Sequence, residues 1–332
     1  MLWSALVIKE ALVRLPLVNI VGHDLRIRNL LLADQTSMKE SLVDRIARLV
    51  KEFSQGLISR REFMQRAVLW TGSMAAASSL LDSLSPSAAH ANEVDPKDPA
   101  LISTDVKYAA ADGASINAYV SRPKADGRRP AVIVVTDNWA LDDHNRDVAR
   151  RLAKAGYVAI VPDVLSRDGG TGSLPNREAV GKVVVGLNSD NVMKDLMGAH
   201  NYIKSQSFVQ PSKIGVIGFC WGGGQTFLFT TQNKDLAASV IFYGQIPKDL
   251  DAVKNISAPV LGNYGELDKP ISSQVPRLAE EMKKSGKSYD YKIYPDAPHA
   301  FFSDVREDRY RPEAAKDAWG RTLEFFKKNL QS

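Results

Sequence analysis

From residue 129 to the C-terminus the sequence alternates short apolar runs with helical patterns, and few folds accommodate that rhythm. The runs are "RPAVIVVTD" (129–137), "YVAIVPD" (157–163), "KIGVIGF" (213–219), "LAASVIFYG" (236–244), "APVLGNYGELD" (258–268) and "YDYKIYP" (289–295). The first is a continuous β-branched run, the pattern of a strand covered on both faces. Between these runs, "LDDHNRDVARRLAKAG" opens with aspartates that can cap a helix and stops at Gly156. "NVMKDLMGAHNYIKSQ" and "WGGGQTFLFTTQ" read as further helices, as do the segments over about 272–285 and 312–329. Ahead of them all, "DVKYAAADGASINAYVSRP" (105–123) reads as two antiparallel strands turned at Asp112-Gly113. The sum predicts an α/β fold: a mainly parallel sheet with helices on both faces and an antiparallel hairpin at its first edge.

The first ninety-one residues have a different texture. "SRREFMQR" at 59–66 is followed by the apolar stretch "AVLWTGSMAAASSLL" and by "SAAHA" at 87–91, which offers the small-x-small site Ala89-His90-Ala91. A charged region, an apolar segment and such a site together form an export signal. The apolar segment is too short, and too rich in Ser, Gly and Ala, for a membrane span. Ser59, Arg60, Arg61 and Phe63 resemble the twin-arginine export pattern; the alternative is an amphipathic helix that merely holds two arginines. The expectation is therefore a signal-bearing extension over 1–91, read by the twin-arginine machinery, and a folded domain over 92–332 destined for the periplasm. Within the extension, Leu42, Ile46, Leu49 and Phe53 fall on one helical face after Met38, which is the expected true start.

Charge and cysteine content exclude several functions. The net charge of +5 divides into 11 Lys/Arg against 8 Asp/Glu before residue 92 and 32 against 30 after it. The folded part is thus nearly neutral, which argues against a nucleic-acid partner. A single cysteine excludes an internal disulfide framework and any Cys-based zinc site.

In open α/β sheets, reactive groups gather beyond the carboxyl ends of the strands. Cys220 follows "KIGVIGF", Asp268 follows "APVLGNYGEL" and His299 follows "YDYKIYPDAP". Gly218-Phe219-Cys220-Trp221-Gly222 has the form of a nucleophile elbow, a tight strand-to-helix turn in which flanking glycines leave room for neighbouring backbone. The turn puts the sulfur at a helix N-terminus, whose dipole favours a thiolate, and aims the Trp221 N–H at a developing oxyanion. His299 would then be the base and Asp268 its orienting acid, in the nucleophile–acid–histidine order of α/β-hydrolases. Each residue also has a plainer explanation. Cys220 can be a core thiol, Asp268 a turn cap before Pro270, and His299 an ordinary loop histidine. His144 and His200 are weaker candidates, one at the start of a helix and the other within one. The glycines at 215, 218, 222, 223 and 224 do not supply the G-x-G-x-x-G spacing of a dinucleotide site, and no Walker motif is nearby.

"GFCWGG", "GELDKPI", "YPDAPHAF" and "RDVARRLAKAGYVAIVPD" together resemble the dienelactone hydrolase family over about residues 103–330. The resemblance implies hydrolysis of enol-lactones to open-chain acids by a Cys-His-Asp triad, with neither metal nor cofactor. It also implies that Asp137 stands where the family has a glutamate that contacts the resting thiol, that Asn138 supplies a second oxyanion N–H, and that Arg167 binds a substrate carboxylate. Ser303 falls near a second carboxylate-binding arginine of the dienelactone-specific members. The expected partner is a small lactone or ester, and the expected state a monomer. Two rivals stand beside this reading: a binding protein that keeps the fold without the activity, and a redox thiol, which the lack of a resolving cysteine disfavours.

Overall fold

The computed structural model describes residues 42–54, 58, 60–73 and 93–331. The chain divides into two compact units between residues 88 and 89. In the first, helices α1 (Leu42–Ser54) and α2 (Arg60–Thr71) share an apolar contact built on Leu49, Phe63 and Ala67. Of the apolar face expected on α1, Ile46 and Leu49 are buried and Leu42 is exposed; the Phe53 side chain lies outside the described residues. Arg60 and Arg61 open α2, whereas Met38, Ser59 and the Ala89-His90-Ala91 site lie outside the described residues. No described helix is long and apolar enough to cross a membrane.

The second unit is built on one eight-stranded sheet. Its strands are β1 (Leu101–Ala109), β2 (Ser115–Pro123), β3 (Arg129–Val135), β4 (Val158–Pro162), β5 (Val209–Phe219), β6 (Ala238–Phe242), β7 (Val260–Gly265) and β8 (Tyr289–Tyr294). They lie in the order β1-β2-β4-β3-β5-β6-β7-β8, antiparallel at β1/β2 and β2/β4 and parallel elsewhere. The hairpin expected from Asp112-Gly113 is present, with Gly113 at φ +86° and the Ala110 N–H donating to the Ala114 carbonyl at 2.8 Å.

Side chains alternate across a strand, so a strand with apolar residues at every position must be covered twice. In β3, Val132 and Val134 face one core and Ile133 and Val135 the other. Helices α3 (Asp143–Lys154) and α9 (Pro312–Leu330) cover the first face through Leu152, Phe326 and Leu330. Helices α5 (Ser189–Lys204) and α6 (Trp221–Gln232) cover the second through Leu196, Ile203 and Phe229. Each such fully buried residue contributes about 1.5–3 kcal/mol of apolar burial. Asp142 caps α3 by accepting from the Asn145 N–H at 3.0 Å, and Gly156, at φ +97°, follows its last turn.

Two elements differ from the sequence reading. The helix expected over about 272–285 is α8 (Val275–Lys284), and a separate single turn that was not expected, α7 (Lys269–Ser272), precedes it. Pro276 has no N–H for the Ser272 carbonyl, so one helix cannot run through it and a new one starts there. The loop after β4 carries an additional helix, α4 (Arg177–Val185), capped by the Asn176 side chain on the Ala179 N–H at 2.9 Å.

The chain moves outward from β3 to β4, then returns to lay β5 on the other side of β3. That reversal sets the carboxyl ends of β3 and β5 side by side, the place where open α/β sheets collect reactive groups. Asp137 and Asn138 follow one of these strands and Cys220 the other.

Candidate active site

The site is shaped first by the turn between β5 and α6. Cys220 occupies it at φ +55° and ψ −120°, a conformation that L-residues adopt only when their surroundings enforce it. Its N–H is fixed on the Phe242 carbonyl of β6 at 3.0 Å, and its carbonyl accepts from the Gly223 N–H at 3.0 Å. A Cβ on Gly218 would overlap Thr226 Oγ1 and the Gly222 carbonyl; one on Gly222 would overlap the carbonyls of Val135 and Thr136 at the end of β3. These two glycines are therefore what lets the turn sit against its neighbours. Trp221 begins the helix, so its N–H has no intrahelical acceptor.

The side chains expected at three strand ends meet here. His299 Nε2 lies 3.0 Å from Cys220 Sγ, and its Nδ1 lies 2.6 Å from Asp268 Oδ2. Asp268 precedes α7 without capping it, so its carboxylate serves the imidazole and not the turn. The loop carrying His299 has two non-glycine residues at positive φ, Asp296 at +54° and Ala300 at +65°. It is pinned by Phe301 and Phe302, buried among Phe219, Phe242, Tyr243, Tyr294 and Trp319. The Tyr243 ring also packs on His299, with centroids 5.1 Å apart.

Burial works to lower the His299 pKa, but the hydrogen bonds from Asp268 and Cys220 outweigh it and raise the value to about 9. Because the folded value exceeds the usual 6.5, the contribution to stability is fully present below pH 6.5 and is lost as pH rises through 9. We expect the urea midpoint to fall between pH 6.5 and 9, and His299→Gln to flatten that part of the profile. An unchanged profile in the variant would contradict this assignment.

The chain from Cys220 to the end of α9 falls within a match to the model of the dienelactone hydrolase family that covers residues 116–330. The chain belongs to the dienelactone hydrolase family. A relative in Methylorubrum extorquens, provisionally named carboxymethylenebutenolidase, is 36% identical over 238 residues, which are 68% of this chain and 81% of the relative. A Bradyrhizobium protein is 35% identical over 66% of this chain and 92% of its own length. It carries the provisional name 2-oxo-3-(5-oxofuran-2-ylidene)propanoate lactonase. The crystal structure of a provisionally titled dienelactone hydrolase from Klebsiella pneumoniae superimposes with a TM-score of 0.63 at 32% identity, over 69% of this chain and 99% of that one. As a dienelactone hydrolase family member with the α/β-hydrolase architecture, the chain is a carboxylic ester hydrolase acting on a lactone or ester bond.

The remaining family-implied residues are placed differently from one another. Asp137 is buried, and its Oδ1 accepts from the Trp139 N–H at 2.9 Å and Asn145 Nδ2 at 3.2 Å. Its Oδ2 takes Arg306 Nη2 at 3.1 Å. Among the described residues no hydrogen bond joins Asp137 to Cys220, whose partner is His299. Asn138 accepts from Arg306 Nη2 at 2.8 Å through Oδ1, which holds the backbone beside the elbow.

Arg167 requires a correction. The sequence reading gives it to a substrate carboxylate, but Nε is bound to Asp195 at 3.0 Å and Nη2 to Asp112 at 2.8 Å and Asp195 at 2.7 Å. Two carboxylates from the hairpin turn and α5 already neutralise it, so it is a tie between elements and has no free charge for an anion. The guanidinium that does reach the end of β3 is Arg306, which also stacks on Trp139 with 3.7 Å to the ring centroid. Ser303 is buried and contributes no positive charge. Arg306 was legible only as an arginine seven residues beyond His299; nothing local in the sequence reports its contacts with residues near 137.

Proposed function

We propose that the chain opens a lactone or cleaves a small carboxylic ester through an acyl-thioenzyme at Cys220. The observation that carries this reading is the continuous chain of contacts from Asp268 through His299 to the sulfur, at 2.6 and 3.0 Å. His299 Nε2, whose raised pKa favours the protonated form, holds the proton it shares with Cys220 while the sulfur attacks the carbonyl carbon. Negative charge gathers on the carbonyl oxygen, where the N–H groups of Trp221 and Asn138 stabilise it. Collapse breaks the bond to the alkoxy oxygen, which takes the proton from His299; in a lactone this oxygen stays tethered. A water then attacks the thioester, gives its proton to His299, and releases the acid, which leaves the sulfur and the protonated imidazole as they began. Asp268 keeps Nδ1 protonated throughout and balances the imidazolium.

The test compares hydrolysis of a small activated ester and of an enol-lactone by the protein and by Cys220→Ala. Equal rates would overturn the mechanism.

The same reading extends to location. The Ser59-Arg60-Arg61-x-Phe63 pattern supports export by the twin-arginine route. In a bacterium with that route, the protein is expected in the periplasmic fraction, and Arg60→Lys with Arg61→Lys should retain it in the cytoplasm. Equal periplasmic yield from both would rule the route out.

A further inference from the structure

The loop that carries His299 runs on into a second, buried cluster of charges. Asp304, only 7% exposed, places Oδ1 3.0 Å from His144 Nδ1 and accepts from Arg151 Nη2 at 2.8 Å on Oδ2. Arg151 also binds Asp147 through Nε and Glu93 Oε1 through Nη1, the latter at 3.0 Å. Asp147 in turn accepts from Arg150 Nη2 at 3.2 Å and from the backbone N–H groups of Glu93 at 3.2 Å and Val94 at 3.0 Å. His144, Asp147 and Arg151 are spaced i, i+3, i+7 on α3, which places them on one face of that helix.

Burying so many charges is costly, and apolar residues of similar volume would serve stability as well or better. What a cluster of mutually facing charges supplies instead is a single geometry, since each charge must meet its partner. That geometry is needed here. Asp304 lies five residues beyond His299, and between them Ala300 holds φ +65°, which the backbone does not maintain unaided. Two residues further, Arg306 closes on Asp137 and Asn138. Burial tends to lower the His144 pKa, but the bond from Asp304 and the charges of Asp142, Asp304 and Asp137 raise it. Arg151 meets Asp304 as charge with charge, and the Phe302 ring packs against both His144 and Arg151.

We infer that Asp304 is a positioning residue: held by His144 and Arg151 of α3, it fixes the course of residues 300–306 and so keeps His299 between Asp268 and Cys220. This rests on the triad reading proposed above. Asp304 touches neither the sulfur nor the imidazole, and no proton or bond passes through it.

The experiment uses the whole protein, with Asp304→Asn and the milder Arg151→Lys. For Asp304→Asn we expect kcat to fall about 10- to 100-fold with KM changed less than about 3-fold, because the group acts on alignment. Arg151→Lys keeps the charge and should recover most of that loss. The pH profile of Cys220 alkylation by iodoacetamide is read without substrate. It should move toward that of His299→Gln in Asp304→Asn and, less far, in Arg151→Lys. A lowered melting temperature with wild-type kcat and a wild-type alkylation profile would make Asp304 merely structural and overturn the inference. If Asp304→Asn does not fold, Arg151→Lys decides by the same two readings. If hydrolysis proves indifferent to Cys220→Ala, the triad reading fails by that result, while the alkylation profiles still judge the alignment.

Discussion

Cys220→Ala is expected to lower kcat for a small ester by about 10⁴- to 10⁶-fold, while the protein still melts cooperatively. The sulfur is the atom that would accept the acyl group, and no other thiol exists in the chain. His299→Ala should cost nearly as much, since an undirected thiol loses both its base and the proton donor for the leaving oxygen. The double variant should be little worse than either single one, because groups that act as a unit are not additive. What survives would be the contribution of the Trp221 and Asn138 N–H groups and of substrate binding. Steady-state kinetics on the three variants measure this, and additive losses in the double variant would show that Cys220 and His299 act separately.

The second large effect is on folding. Gly222→Ala would drive a methyl group into the carbonyls of Val135 and Thr136. Neither is the end of a flexible side chain; both belong to the strand end that also carries Asp137 and Asn138. We expect a loss of stability beyond about 3 kcal/mol, or insoluble protein, by urea denaturation. Gly224→Ala is the control. Its nearest neighbours around Gln245 are 3.5 Å from the added carbon, an ordinary contact, and the change improves a helix, so stability should hold or rise by up to about 1 kcal/mol. Equal effects at the two positions would mean that the turn is not limited by close approach.

The sheet was legible in the sequence because strands covered on both faces must be apolar at every position, and runs such as "AVIVV" have no other simple use. The position of Cys220 was legible because it follows such a run directly, and those of Asp268 and His299 because they lie three and five residues beyond the ends of β7 and β8. Helix α4 was not: "REAVGKVVV" has a glycine in its middle and three valines at its end, and the Asn176 cap that starts it sits in a stretch otherwise rich in loop residues. Ion pairs were the least legible of all. Arg167 meets Asp112 and Asp195, which lie 55 and 28 residues away, and Arg306 meets Asp137 across 169. No periodicity encodes such pairings, so the reading that gave Arg167 a free charge had no means of seeing its partners. The α3 face of His144, Asp147 and Arg151 did leave a trace as charges at helical spacing, but nothing in that trace indicates burial.

The elbow also bears on how this site can change over generations. Gly218 and Gly222 are fixed by backbone on their far sides, so almost any mutation there is lost with the fold. Position 220 is different: its side chain is half-buried and points from a turn whose cost the surrounding backbone already bears. A single-base exchange of sulfur for oxygen would leave the backbone of the turn in place and alter chiefly the atom that attacks. New reactivity on this scaffold is therefore most accessible through the identity of the nucleophile and the loops beyond the strands, with the turn itself inherited unchanged.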